Sequence, residues 1–271
     1  MLTLLYTLCL AAQEHRVMVL HTSDSHSCIE PLPHNYRDTT VAGKGGFARR
    51  AALIRNYREE YGDNVLLLDC GDFSQGSIYY TLFKGDVEVE LMNEMGYDAC
   101  AIGNHEFDYG MDNLARLIRM ADFPFVCCNY DFSGTPCEGL VKPYITKVCA
   151  GIKIGIFGVC PRLDRFVTKA NRQGIKYKNP AKAAQPIIDH LRDKEKCDMI
   201  VCLSHLGWNV GGDDDQALVS ATSGIDLLLG GHSHTYFTQP QHLIDKDGHE
   251  VTIDHTGKYG CYIGAMEVNL E

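Results

Sequence analysis

The sequence predicts an α/β fold built on buried, largely parallel strands, and three observations carry that prediction. Short apolar runs such as NVLLL (64–68), DMIVCLSH (198–205) and IDLLLGGHS (225–233) have strand length with little polar alternation, as expected of strands covered on both faces. Segments with apolar residues every three or four positions lie between such runs, as crossover helices would. The 271 residues are 45% hydrophobic and 22% charged, which supports a large core and argues against disorder.

Residues 2–12, LTLLYTLCLAA, form an apolar run ending in small residues. It is too short for a bilayer, which needs about 20 residues, and is similar to the core and cleavage end of a secretory signal. Residues 1–15 are therefore read as a signal peptide or N-terminal arm, and the protein as exported, to a periplasm or a cell surface. No later segment is long and apolar enough for an integral membrane helix. Val17–His21 is the first strand. In 45–62, Phe47, Ala51, Ile54, Tyr57 and Tyr61 recur at helical spacing. A strand at 64–68 comes next, then a helix near 86–95, the apolar DACAIG (98–103), a helix over 111–120 and a strand over 123–129. The stretch 144–160 suggests a hairpin turning at Ala150–Gly151. A helix from Pro180 to about 194 precedes the two strands at 198–205 and 225–233, and short strands with Asp-Gly and Thr-Gly turns close the chain. With no repeat or Pro/Ser-rich linker, 16–271 is read as one domain.

Composition narrows the function. The 25 Lys+Arg against 35 Asp+Glu give a formal charge of -10, which argues against non-specific nucleic-acid binding through phosphate neutralisation. A phosphorylated small molecule is still compatible, because bound cations reverse a local field. The twelve cysteines include no C-x-x-C pair, and several lie inside apolar runs, where they read as small buried hydrophobes. One or two bridges among the loop cysteines Cys28, Cys137 and Cys197 are the open alternative.

The residues just past the strands carry the most information. VMVLHT leads to Asp24 and His26, VLLLD to Gly71-Asp72, ACAIG to Asn104-His105, IVCLS to His205, and LLLGG to His232 and His234. Singly, each has an ordinary explanation: a hydrogen-bonded His, a turn-forming Asp, an Asn at a helix cap. Five coincidences at one topological position do not, because ligands of open α/β sheets sit outside the carboxyl ends of strands. Oxygen and imidazole donors without thiolate favour borderline or hard divalent ions over a structural zinc knot. D-x-H at 24–26 and H-x-H at 232–234 are each expected to place two donors on one side of an extended segment. A carboxylate on the Gly-Asp turn can offer an oxygen to each of two ions. Two carboxylates against two divalent ions leave about +2, and about +1 with a bridging hydroxide, which still attracts a phosphate dianion.

In order and spacing, HTSDSH (21–26), GDFSQGS (71–77), GNHEFD (103–108), SHLG (204–207) and GGHSHT (230–235) resemble the motifs of the calcineurin-like metallophosphoesterases. GGFARRAALI (45–54) and the Q-G-S after Gly-Asp narrow the resemblance to the catalytic domain of the 5'-nucleotidase / UDP-sugar hydrolase family. The resemblance implies a four-layer α-β-β-α sandwich with two mixed β-sheets and a dinuclear metal site at the carboxyl ends of the strands. It implies one ion on Asp24, His26, Asp72 and His234 and a second on Asp72, Asn104, His205 and His232, the pair drawn from Mn, Zn, Fe or Co. His105 would face the scissile phosphate, with Asp108 orienting its imidazole. Relatives commonly carry Asn where this chain has Ser23, and many 5'-nucleotidases carry Gln at His234.

The implied reaction is hydrolysis of a phosphomonoester, a 5'-nucleotide foremost, by a metal-bridging hydroxide. The alternatives are a nucleotide-sugar or cyclic-nucleotide phosphodiesterase using the same centre, and a metal- or nucleotide-binding half that acts with a separately encoded specificity domain. That second domain, which in two-domain relatives grips the base, is expected to lie outside 16–271. A metallo-β-lactamase centre would need H-x-H-x-D-H, which residues 21–26 do not supply.

Overall fold

Side chains along the central strands alternate between two cores, and that alternation sets the architecture. The structure, a computed structural model, describes residues 15–270; the apolar run at 2–12, and the leader read there, lie outside them. The strands are β1 (His15–Thr22), β2 (Val65–Asp69), β3 (Ala99–Ala101), β4 (Phe125–Val126), β5 (Tyr130–Asp131), β6 (Tyr144–Cys149), β7 (Ile152–Val159), β8 (Lys176–Tyr177), β9 (Met199–Ser204), β10 (Leu227–Gly230), β11 (Gln241–Ile244), β12 (Glu250–His255) and β13 (Gly264–Leu270). The helices are α1 (Phe47–Tyr61), α2 (Ile78–Phe83), α3 (Asp86–Met95), α4 (Gly110–Met120), α5 (Pro180–Asp193) and α6 (Asp215–Ala221).

Two mixed sheets result. One has the order β13-β1-β2-β3-β4, the other β11-β12-β10-β9-β7-β6. β1 to β4 are mutually parallel, as are β7, β9, β10 and β12, while β13, β6 and β11 join antiparallel at the edges. Val17, Val19, Leu66, Leu68 and Val126 meet Ile154, Ile156, Val201, Leu203 and Leu229 in a core between the sheets. The alternate residues face outward. Met18, Leu20, Leu67 and Phe125 pack under α1, α3 and α4, and Phe157, Val159, Ile200 and Leu228 pack under α5 and α6. This is the four-layer sandwich, and a one-residue slip in any central strand would exchange its two faces.

Most expected elements occur, and the differences have local causes. The β6–β7 hairpin turns through Ala150 and Gly151, with φ of 51° and 79°, as a two-residue hairpin loop requires. The strand expected over 123–129 pairs only at Phe125–Val126. Beyond it, the Cys127 and Cys128 amides donate to Lys142 and Gly158 carbonyls instead. Helices α2 and α6 are too short to show periodicity; each starts at a side-chain cap, Ser77 or Asp214. All eleven described cysteines are free. Cys137 belongs to the core under α4 and Cys197 to the core on the opposite side of the sandwich, so those two cannot pair. No helix among the described residues is long and apolar enough to cross a membrane.

At Gly158 the two sheets approach too closely for a side chain, because a β-carbon there would run into the carbonyl of Val126. Gly158→Val should lower unfolding free energy by about 1–3 kcal/mol, read as a lower denaturant midpoint with an unchanged slope.

Candidate metal centre

β1, β2 and β3 of one sheet and β9 and β10 of the other end at the same edge of the sandwich, and their loops bring the expected residues together. Donor atoms of Asp24, His26 and His234 lie within 4.8 Å of one another, as do those of Asp72, His205 and His232, and those of His26, Asp72 and His105. Asp72 therefore stands between two groups. His205 Nε2 is 3.0 Å from Asp72 Oδ2, and Asp72 Oδ1 accepts the His105 amide at 2.8 Å. His26 Nε2 is 2.8 Å from His234 Nε2, and His234 Nε2 is 3.6 Å from Asp24 Oδ1.

The backbone reaches this arrangement differently from the expectation. Asp24 and His26 are not on an extended segment. Asp24, His26, Asp72, His232 and His234 have φ of 48°, 43°, 56°, 70° and 56°, in the left-handed region, where a non-glycine residue costs about 1–3 kcal/mol. Successive tight turns, rather than strand alternation, aim these donors. Surrounding hydrogen bonds hold the turns. Asp24 and His26 amides donate to the carbonyls of Gly71 and Asp72, and the His232 amide donates to both Asp24 oxygens at 3.0 and 3.1 Å.

The donor set fits divalent ions. Asn104 Oδ1 is buried without a hydrogen-bond partner, a rare and costly state that a cation would relieve. His205 Nδ1 is 2.7 Å from the Cys70 carbonyl and His26 Nδ1 is 3.3 Å from the Ser74 carbonyl. Donation from those nitrogens turns each Nε2 toward the centre, the arrangement usual for metal-ligating imidazoles. Burial pushes His232 down to about 3 and His234 to about 4, with neighbouring His205 and His26 adding to the respective shifts. Burial also lowers His26. All three are neutral, and able to ligate, at neutral pH.

The carboxylates are set by opposing forces. Burial lifts Asp24 to about 8. Burial acts the same way on Asp72, but His205, then His26 and His105, outweigh it and hold Asp72 below the usual carboxylate range. Conversely, burial acts to lower His205, and Asp72 overcomes it, pushing His205 up to about 10. Cation loading must therefore displace that proton.

His105 sits at the edge, with a side chain 29% exposed and Nδ1 2.9 Å from Asp108 Oδ2. Burial lowers its affinity for a proton, but the Asp108 hydrogen bond and the charge of Asp72 raise it above the ordinary imidazole value overall. Ser23 Oγ lies 3.3 Å from Thr256 Oγ1.

Sequence reasoning missed Glu106. Its buried carboxylate accepts the amides of Gly103 at 2.7 Å, Asp72 at 2.9 Å and Ser74 at 3.1 Å, tying the loops after β2 and β3 together. The only signal was a carboxylate inside GNHEFD, overshadowed by its neighbours. Gly103 is required beside it, because a β-carbon there would occupy the position of Asp72 Oδ1. Glu106→Ala should leave three buried amides unpaired and destabilise the protein by about 1–3 kcal/mol for each left unsatisfied, read by chemical denaturation of the metal-free protein.

Comparison with known proteins agrees with this geometry. The calcineurin-like phosphoesterase family model matches residues 17–236. The chain is 30% identical to the 5'-nucleotidase of Bos taurus over 96% of its own length and 48% of that protein's. It is 30% identical to the trifunctional nucleotide phosphoesterase protein YfkN of Bacillus subtilis over 93% of its length and 18% of that protein's. The crystal structure of the 5'-nucleotidase precursor from Thermus thermophilus superposes with a TM-score of 0.82 at 29% identity, covering 94% of this chain and 52% of that one. The chain thus spans about half the length of the 5'-nucleotidases it matches. With the motifs, the two-sheet sandwich and these matches in agreement, the chain belongs to the calcineurin-like phosphoesterases.

Proposed function

We propose that the protein hydrolyses phosphomonoesters, 5'-nucleotides foremost, at a centre for two divalent cations. Asp24, His26, Asp72 and His234 would hold one ion, and Asp72, Asn104, His205 and His232 the other. The observation that carries this reading is the pair of donor groups, Asp24, His26 and His234 and then Asp72, His205 and His232, each inside 4.8 Å, with Asn104 Oδ1 buried and unpaired. Nucleotide substrates are supported by the names of the relatives. Export is part of the reading, on the strength of residues 2–12, and a separate specificity domain is the partner it allows.

Bound there, a pair of divalent ions supplies charge neutralisation for the phosphoryl oxygens and a water acidic enough to ionise near neutral pH. The chain's own residues do the rest. Asp72 directs one oxygen toward His205 and the other toward the His105 amide, which fixes its plane. Asp108 holds His105 by Nδ1, leaving Nε2 to carry the proton that passes to the leaving oxygen as the P–O bond breaks. Glu106 keeps the two loops from separating under the repulsion between Asp72 and any incoming phosphate.

Phosphate release from AMP by protein reconstituted with Mn²⁺, Co²⁺ or Zn²⁺ should stop in chelator. Asp72→Asn should lose bound metal and rate together. His105→Ala should keep its metal by elemental analysis while the rate falls by about 10²–10⁴-fold; loss of metal in that variant would contradict the division of roles. Because Asp108 raises the proton affinity of His105, Asp108→Asn should move the basic limb of the pH–rate profile to lower pH.

A further inference from the structure

The His105–Asp108 pair stands at the edge of the centre with side chains 29% and 31% exposed, and a pair that open to water holds its geometry weakly. The turn that carries it has little strength of its own. Its internal bonds run from the Phe107 amide to the Asn104 carbonyl at 3.3 Å and from the Asp108 amide to the His105 carbonyl at 3.1 Å. An imidazole that must present Nε2 at one place needs a firmer hold, since a displacement of about 1 Å can cost about 10²-fold in rate.

Two side chains from distant segments supply it. The Tyr80 hydroxyl, from α2, donates to the His105 carbonyl at 3.1 Å. Asn171 Nδ2 donates to the Asp108 carbonyl at 2.6 Å. The carbonyls at both ends of the turn are thus held from elsewhere in the chain. Both holders are anchored in turn. Tyr80 is buried, in a helix whose Ser77 cap accepts the Tyr79 and Tyr80 amides. Asn171 lies on the segment after β7, whose Leu163 and Val167 are buried in the same core as Phe107 and Met111. That segment also sets the Phe166 ring 4.7 Å from the ring of His232. Leaving the second sheet, it therefore packs against a residue of one donor group and bonds the turn that follows β3 of the first sheet.

We infer that Tyr80 and Asn171 are positioning residues for His105: by holding the two ends of its turn they keep Nε2 aimed at the leaving oxygen while Asp108 holds Nδ1. Both act through neutral hydrogen bonds to backbone carbonyls, so they set where the imidazole stands and leave the charge of the centre alone. The inference rests on the phosphomonoesterase reading for the role of His105, and its test keeps the two apart.

Zn²⁺-loaded protein is assayed with glycerol 2-phosphate, whose alkoxide needs a proton as it leaves, and with 4-nitrophenyl phosphate, whose anion is stable without one. Tyr80→Phe removes only a hydroxyl, and Asn171→Leu removes the amide at similar size. In each variant kcat for glycerol 2-phosphate should fall about 10- to 100-fold with KM little changed, while kcat for 4-nitrophenyl phosphate falls less than about threefold and zinc content is unaltered. His105→Ala should show the same split, and adding Asn171→Leu to it should cost nothing more. In parallel, the Nδ1 proton shared with Asp108, recognised by its absence in His105→Ala, should give a low-field NMR signal that broadens in both variants, independent of turnover. Equal losses on the two esters, or a signal that stays sharp, would overturn the inference. If the unsubstituted protein hydrolyses neither ester while the signal still broadens in the variants, the positioning stands and the phosphomonoesterase reading falls.

Discussion

The fold depends on the packing of two sheets whose parallel strands end at the same edge. The buried valines, leucines and isoleucines between them fix the distance from the ends of β1, β2 and β3 to those of β9 and β10, and thereby bring Asp24 to His234. Nothing local along the chain could do this, since the donors come from five separate loops. The rigidity of that core also allows five of the donor residues to sit at left-handed φ. Strain of that kind persists only where the surroundings over-determine it, and here strand pairing, the Glu106 bridge and the amide bonds to Asp24 do so.

Burial is the second constraint. Asp24 and Asp72 are almost fully removed from water, where an unpaired carboxylate is costly. A proton on His205 and the raised proton affinity of Asp24 offset that cost. Three imidazoles remain neutral beside them. Cations would replace the proton as the counter-charge and use donors already in place, so burial of these groups favours cation binding. A net charge of -10 is no obstacle to a phosphate substrate under those conditions, because the field at the centre is set by nearby cations.

Much of this was legible in the sequence. Apolar runs without alternation gave the buried strands, and the residues just past them named the metal-competent side chains. The Ala150–Gly151 turn was readable because only a tight loop fits between two adjacent strands. Other features were not legible for physical reasons. The D-x-H and H-x-H pairs suggested strand alternation, but their convergence comes from left-handed turns that spacing alone does not encode. Glu106 works through its carboxylate on backbone amides, which are the same for every residue type, so its partners leave no trace in sequence. Bridges among the loop cysteines were left open by the sequence, yet Cys137 and Cys197 are each buried in a different core.

The proposed chemistry requires Asp72 to lie between two cations, and anomalous diffraction from crystals grown with Mn²⁺ tests that requirement most directly. Two peaks separated by about 3.5–4 Å are expected, one against Asp24, His26 and His234 and the other against Asn104, His205 and His232, with a carboxylate oxygen of Asp72 at each. A single peak, or a pair bound away from Asp72, would contradict it.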